Sequence, residues 1–267
     1  VTSTVRLAPA GPNTGIKFRL MRGDSCTIEI PLHHSNSRPG ALRTVFGMGG
    51  HSVETTEHLM AVLHAYGVTN LAIEIWGNEF PIFDGSADAW SFLVDCAGID
   101  QQQEDLRSIR VLRRVEVMGN GAWCSISPCD GFEVMYDLSY DHPMIGRQIF
   151  DIKVDRCSFG SDLYKARTFG FYSDLDLIRK QGLATGATLT NTLVFGEKDL
   201  MGPMSLRWAD EPARHKAVDA IGDLYSAGLP IQGRFEGCRS GHDLNRRLVE
   251  KLMEDHSAWC YDSMPMT

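Results

Sequence analysis

Asp210-Glu211-Pro212-Ala213-Arg214-His215-Lys216-Ala217-Val218-Asp219-Ala220-Ile221-Gly222-Asp223 is the stretch around which the rest of this chain can be organised. Pro212 suits the first turn of a helix, where no backbone N–H is needed, and Gly228 and Pro230 suit its end. The spacing therefore predicts a helix over about 212–227. His215, Asp219 and Asp223 fall at i, i+4 and i+8 and share one face. Val218, Ile221, Leu224 and Tyr225 form the neighbouring apolar face. An imidazole and a carboxylate one turn apart can grip one metal ion; zinc accepts both donors, and a catalytic zinc site takes three protein ligands. The same spacing also describes a solvated face held by i, i+4 pairs, since closed sets of ligands rather than pairs identify a zinc site.

Working outward, strands are predicted at Val111–Val117, Ala122–Ile126 and Phe132–Leu138, a helical segment near Tyr172–Gln181, and a second helix at about His242–His256. The first part of the chain has the same order. Two short strands lie within Val5–Leu20 around the turn at 9–15, and another runs from Cys26 to Leu32. The stretch His33–Gly50 is loop-rich. A helix is predicted at about Thr55–Tyr66, with Glu54 and Glu57 near its positive end and Leu59, Met60, Leu63 and Tyr66 as its apolar stripe. The strand Asn70–Trp76 and a helix at about Ala87–Ala97 follow. The polar run Gln101–Asp105 has no apolar anchor and marks the boundary, giving domains of 1–105 and 106–267. Strands first and helices after, twice over, predict an α+β fold with two layers per domain.

Bulk properties narrow the function. The chain has 267 residues, 43% of them hydrophobic and 22% charged, and a formal net charge of -8. An acidic protein lacks the dense basic footprint of non-specific nucleic-acid binding, so no nucleic-acid partner is expected. Any anionic ligand then needs a local cation. The seven Cys are scattered with no CxxC pair, which suits reduced thiols in a cytoplasmic protein. Cys124 and Cys129 have an unusual spacing for a metal knuckle and read as strand or turn cysteines. No apolar run reaches membrane-spanning length and no signal peptide is visible.

Four further stretches hold residues with chemistry. In Thr55-Thr56-Glu57-His58-Leu59-Met60 a carboxylate sits beside a histidine, pointing about 100° apart on a helix. His58 can bind a metal while Glu57 reaches a water there, the geometry of a general base; the alternative is a dipole-favoured Glu next to a packed His. In Ser240-Gly241-His242-Asp243-Leu244-Asn245, Ser240 and Asp243 resemble a capping box, with His242 exposed in the first turn as a candidate general acid. Glu79–Ala87 reads as a structural turn in which Asp84 or Ser86 caps the next helix. Ala166-Arg167-Thr168-Phe169-Gly170-Phe171 reads as a strand with core aromatics, in which Thr168 can donate to an oxyanion.

Taken together and in this order, these motifs resemble the UDP-3-O-acyl-N-acetylglucosamine deacetylase (LpxC) family, from about Val5 to Lys251. The resemblance implies two similar two-layer α/β sandwich domains, packed with their helices facing and the active site between them. It implies a zinc-dependent amidohydrolase, with Fe2+ possible on the same ligands. It implies His58, His215 and Asp219 as metal ligands, Glu57 as the base that activates the attacking water, and Thr168 as a donor to the oxyanion. His242, held by Asp223, would assist the leaving amine. Lys216 would contact the anionic nucleotide, which supplies the local cation, and Phe169 would lie against the sugar. An insert at about 171–194 would form the acyl passage, with Tyr172, Leu175, Ala184 and Val194 as candidate lining residues.

The substrate would be a UDP-linked acylated glucosamine, handled by a monomer in the committed step of lipid A biosynthesis. Three departures stand out: the family's Gly-rich first strand would precede Val1, Arg43 stands where many members have Cys, and Asp243 follows His242 where a small residue is usual. A carboxylate there would raise the pKa of His242 or cap the helix. The alternatives are a catalytically silent UDP-sugar-binding relative and a zinc amidohydrolase for another acylated amino sugar.

Overall fold

Alternating apolar residues build the first sheet. In a computed structural model describing residues 3–264, β1 (Thr4–Pro9), β2 (Ile16–Arg22) and β3 (Ser25–Pro31) are followed by β4 (Ser37–Arg38), β5 (Val45–Met48) and β6 (His51–Glu54). Then come α1 (Glu57–Ala65), β7 (Leu71–Trp76) and α2 (Asp88–Ala97). The main sheet here has the order β1-β7-β2-β3, with β2 and β7 parallel and Phe18 paired to Ile73 in the buried face. The loop-rich stretch folds into a second small sheet, β4-β5-β6. The predicted strands and helices of this part are present within a few residues of their expected bounds.

The remainder contains β8 (Leu106–Val111), β9 (Val115–Gly119), β10 (Ala122–Ser127), β11 (Phe132–Ser139), β12 (Arg147–Lys153), α3 (Arg156–Asp162) and β13 (Phe169–Phe171). After these come α4 (Leu175–Lys180), β14 (Leu193–Phe195), β15 (Leu200–Met201), α5 (Glu211–Leu224), β16 (Ile231–Cys238), α6 (His242–Glu254) and β17 (Trp259–Met264). Seven strands form one sheet: β12-β11-β16-β10-β9, with β8 joining β16 and β17 joining β8. A three-stranded sheet, β13-β14-β15, flanks the predicted insert at 171–194 on both sides. The chain is thus mixed α/β, with six α-helices among the described residues.

Some expectations need correction. The single strand expected at Val111–Val117 is two strands. The β8–β17 ladder runs on to Leu112, whose N–H donates to the Ala258 carbonyl at 2.7 Å, and the chain then bends at Arg113 before β9 pairs with β10. The helical segment at Tyr172–Gln181 opens as a 3-10 turn before α4. The long helix ends its α-helical part at Leu224, continues as a 3-10 turn over Tyr225–Ala227, and stops at Gly228, whose φ of 85° is the left-handed conformation glycine favours. In the polar run at 101–105, Gln102 donates to the Ala10 carbonyl and accepts from Asn70, both at 2.8 Å.

What positions the site is the contact of α1 with α5. The stripe expected on α1 understates its burial, since every residue from Glu57 to His64 is buried, packed against α2 and α5. Gly222 lets the helices meet. A Cβ there would lie 2.1 Å from the Glu57 carbonyl oxygen and 2.8 Å from its carbonyl carbon. Backbone cannot yield as a flexible side chain can. Gly222→Ala is therefore expected to spread the helices, costing about 1–3 kcal/mol of stability as an overpacking change and weakening metal binding together with it. Denaturant unfolding and metal titration of the variant check this; wild-type values in both would refute the close-approach account.

α1 also carries a pH-sensitive group. His64 is buried against Phe132 and Tyr225, and neither ring nitrogen has a partner. Burial pushes its pKa down to about 4, below its ordinary 6.5. The unfolded chain then takes up a proton at higher pH than the folded one. The neutral ring's contribution is complete above about pH 6.5 and is lost as pH falls toward 4. Acidification from pH 7 to 4.5 should cost the wild type about 2 kcal/mol more than His64→Leu. Urea unfolding of both proteins at the two pH values measures the difference, and equal losses would remove His64 as the cause.

Candidate active site

Three donor atoms converge where α1 meets α5. His58 and His215 present Nε2 at 3.8 and 3.3 Å from Asp219 Oδ1, and one donor atom from each residue lies within 4.8 Å of the others. The two rings meet nearly edge-on, with centroids 5.2 Å apart at 80°. All three residues are at most 4% exposed. The i, i+4 spacing on α5 places His215 and Asp219 on one face, and α1 supplies His58 from the opposite side.

The protonation chemistry suits a cation. Burial pushes His58 down to about 4, aided by His215, and burial also lowers His215, so both imidazoles offer lone pairs. Burial alone would raise the Asp219 carboxyl, but the charges of Lys216 and His242 beside it hold it well below the usual range and it is ionised. His215 Nδ1 donates to the Ala166 carbonyl at 3.0 Å, which leaves Nε2 as the acceptor turned to the site. Two neutral imidazoles and a carboxylate are the donor set of a three-ligand metal site with room for a further ligand.

Glu57 and His242 flank this group. Glu57 Oε2 accepts the Thr44 backbone N–H at 3.0 Å. Burial pushes its carboxyl up to about 7; His242 opposes the rise, while Asp219 and Asp223 add to it. His242 opens α6, with Nε2 3.9 Å from Asp219 Oδ2 and Nδ1 3.0 Å from both Asp223 oxygens. Burial opposes its protonation, but Asp223, Asp219 and Glu57 push it up to about 9. Asn245 Nδ2 donates to Asp223 Oδ2 at 2.8 Å.

The loop that carries Ala166, the partner of His215 Nδ1, is held on both sides. The Thr168 backbone N–H donates to the Gly85 carbonyl at 2.8 Å, and its own carbonyl accepts from Leu193 at 2.9 Å. A Cβ on Gly85 would lie 2.0 Å from the Asn191 carbonyl oxygen and 3.0 Å from Thr168 Cγ2, so only glycine fits where this turn meets Asn191. At the other end of that loop Arg167 donates to Glu211 through its backbone N–H and its guanidinium, with Nε 2.8 Å from Oε1. The Glu211 side chain is fully buried at the start of α5, and this ion pair locks the loop to the helix that carries His215 and Asp219.

A sequence profile described as UDP-3-O-acyl N-acetylglycosamine deacetylase (LpxC) matches residues 1–254. The chain belongs to this family. A UDP-3-O-acyl-N-acetylglucosamine deacetylase of Pseudomonas entomophila is 38% identical over 256 residues, covering 95% of this chain and 84% of that one. Its counterpart in Chromobacterium violaceum is 38% identical over 262 residues, 96% and 85% of the two chains. That of Stenotrophomonas maltophilia is 39% identical over 257 residues, 95% and 84%.

Against the LpxC motifs, the structure brings Glu57, His58, His215, Asp219, Asp223 and His242 into one cluster. Lys216 is turned onto Asp219, with Nζ donating to Oδ2 at 2.8 Å and lying 5.9 Å from the centre of the half-buried Phe169 ring. Phe169 itself faces the edge of His215 at 6.5 Å. In the segment 171–194, Val194 is buried in β14 and Leu175 is half-buried, while Tyr172 and Ala184 are exposed. The capping box does not form. Gly241 is the N-cap without a side-chain bond, so Ser240 sits one residue too early and its hydroxyl is buried unpartnered. His242 is not exposed but has a side chain 12% accessible.

Asp243 neither caps α6 nor drives the rise in His242; it pairs with Arg246 at 2.9 Å. Arg43 pairs with Glu54 and Glu79 at 2.8 and 3.5 Å. Neither Asp84 nor Ser86 is the N-cap of α2: Ala87 holds that position without a side-chain bond, although Ser86 Oγ accepts the Asp88 N–H at 3.2 Å. Sequence reasoning gave no role to Asn245, although its i+3 spacing from His242 puts both on one face. It also gave none to Thr44, Gly222 or the Arg167–Glu211 pair, whose partners are distant in sequence.

Proposed function

We propose that this chain is the zinc-dependent deacetylase of lipid A biosynthesis, removing the N-acetyl group of UDP-3-O-acyl-N-acetylglucosamine to give acetate and the free amine. The observation that carries this is the buried His58–His215–Asp219 donor set beside Glu57 and the His242–Asp223 pair, in a chain of the family named for that reaction. The same donors would accept Fe2+. When bound, the metal supplies Lewis acidity and makes water a better nucleophile near neutral pH.

The protein's own groups do the rest. Glu57 takes a proton from the attacking water as the C–O bond forms at the acetamide carbon. The Thr168 hydroxyl donates to the developing oxyanion. His242, oriented by Asp223, gives a proton to the amine as the C–N bond breaks. Lys216 exchanges its Asp219 contact for the nucleotide's anionic part, and Phe169 lies against the sugar. The segment 171–194, with Tyr172, Leu175, Ala184 and Val194, lines the acyl passage.

The domains are 1–105 and 106–267, two two-layer sandwiches with helices facing and the site between them; the separate main sheets and the α1–α5 contact support this division. Residues 1–2 and 265–267 at their ends lie outside the described residues. The chain works as a cytoplasmic monomer. Among the described residues no helix is long and apolar enough to cross a membrane.

The test is acetate release from UDP-3-O-acyl-GlcNAc by purified protein, with and without chelator, alongside metal analysis. Chelator-sensitive release with about one zinc per chain is expected from a single three-ligand site. Bound zinc without turnover would point to another acylated amino sugar, and neither metal nor turnover would leave a UDP-sugar-binding relative.

A further inference from the structure

Thr44, the residue before β5, reaches both sides of the site. It is 7% exposed. Its backbone N–H donates to Glu57 Oε2 at 3.0 Å, and its hydroxyl donates to Asp223 Oδ1 and lies 3.3 Å from His242 Nδ1. Its carbonyl accepts the Thr55 N–H at 3.0 Å. The strand-free run before it is held in place. Leu42 and Thr55 adopt φ of 63° and 60°, left-handed values uncommon for such residues. Arg43 is pinned by Glu54 and Glu79. The Thr44 backbone is thus fixed from both sides before it meets Glu57.

The donor arithmetic at Asp223 gives the hydroxyl its weight. Three donors reach the carboxylate: His242 Nδ1, Asn245 Nδ2 and the Thr44 hydroxyl. Two of them stand on α6, so they move with it. Thr44 is the one of the three that comes from outside α6, and it fixes Asp223 against rotation toward that helix. A tilt of Asp223 would swing the His242 ring and shift Nε2, the nitrogen that faces Asp219.

We propose that Thr44 is a positioning residue for the deacetylation, its amide setting Glu57 and its hydroxyl setting Asp223 and through it His242. Its catalytic consequence rests on the function proposed above. A void of about 10 Å3 adjoins Thr44, Asp223, Ser226 and His242, about the room of one water. Alanine would invite a water that substitutes for the hydroxyl, so valine, which keeps the volume, is the informative replacement.

Thr44→Val and Thr44→Ser are compared with wild type by steady-state kinetics, metal content and the His242 Nδ1–H resonance of 15N-histidine-labelled protein. Thr44→Val should lower kcat about 10- to 100-fold, the scale of a misplaced catalytic group, with wild-type metal content and KM within about twofold. Thr44→Ser should recover kcat to within about threefold. The downfield Nδ1–H signal should persist in wild type and Thr44→Ser and be lost or shifted upfield in Thr44→Val. A wild-type kcat in Thr44→Val, a Thr44→Ser variant as slow as Thr44→Val, or an unmoved His242 signal would each overturn the proposal. If the wild type releases no acetate, the proposed function fails, while the resonance comparison still decides whether the hydroxyl holds Asp223 and His242.

Discussion

Glu57→Gln should leave the fold and the bound metal intact and lower kcat by about 10²–10⁴-fold, the range for losing a positioned general base. Glutamine has the same shape, and its amide oxygen can keep accepting the Thr44 N–H that now holds Oε2. What it cannot do is accept a proton from water. Burial has already pushed the Glu57 carboxyl up to about 7, so the native side chain is a far better base than an exposed carboxylate at neutral pH. The change should fall on kcat, with KM nearly constant, because no ground-state contact to substrate is removed. Steady-state kinetics with parallel zinc analysis measure this. A Glu57→Gln enzyme of wild-type kcat, or one that has lost its metal, would mean that Glu57 holds the site together and does not move protons.

His215→Ala should remove both metal and turnover. Outer-shell partners of a metal site are typically worth about 10–100-fold in affinity, and loss of a direct ligand exceeds that. His215 has two attachments, Nε2 toward Asp219 and Nδ1 to the Ala166 carbonyl. Alanine loses both, so the 165–168 loop is left with the Arg167–Glu211 pair as its hold on α5. The variant should therefore fold, bind zinc poorly after dialysis, and release acetate only at background. Metal analysis and activity at saturating added zinc check it. Activity rescued fully by zinc would make His215 an affinity ligand alone, and retained stoichiometric zinc would remove it from the ligand set.

Much of this site was legible because helices write their faces into spacing. His215, Asp219 and Asp223 recur every fourth residue, and the structure keeps all three buried on the face that meets α1. The adjacency of Glu57 and His58 on α1 was legible for the same reason. The contacts that hold these groups were not. Thr44 meets Asp223 across 179 residues of chain and Arg167 meets Glu211 across 44, and no local pattern encodes such pairings. β16 escaped notice because two of its inward positions are Gly233 and Gly237. Each lies where a Cβ would meet an atom at 2.9 or 2.8 Å, so close packing replaced the apolar alternation that announces a strand. β13 falls within the strand expected at 166–171, but β14 and β15 span only three and two residues, too few for any period to register.

The missing methyl at Gly222 bears on how such a chain can be rebuilt. In a chimera whose α1 and α5 come from different relatives, the ligand geometry would be set by one interhelical spacing that neither parent controls alone. That spacing is fixed by backbone touching backbone, Gly222 against Glu57. Such a chimera should keep its donors in reach of one another when it has glycine at 222, and any side chain there should push His58 away from His215 and Asp219.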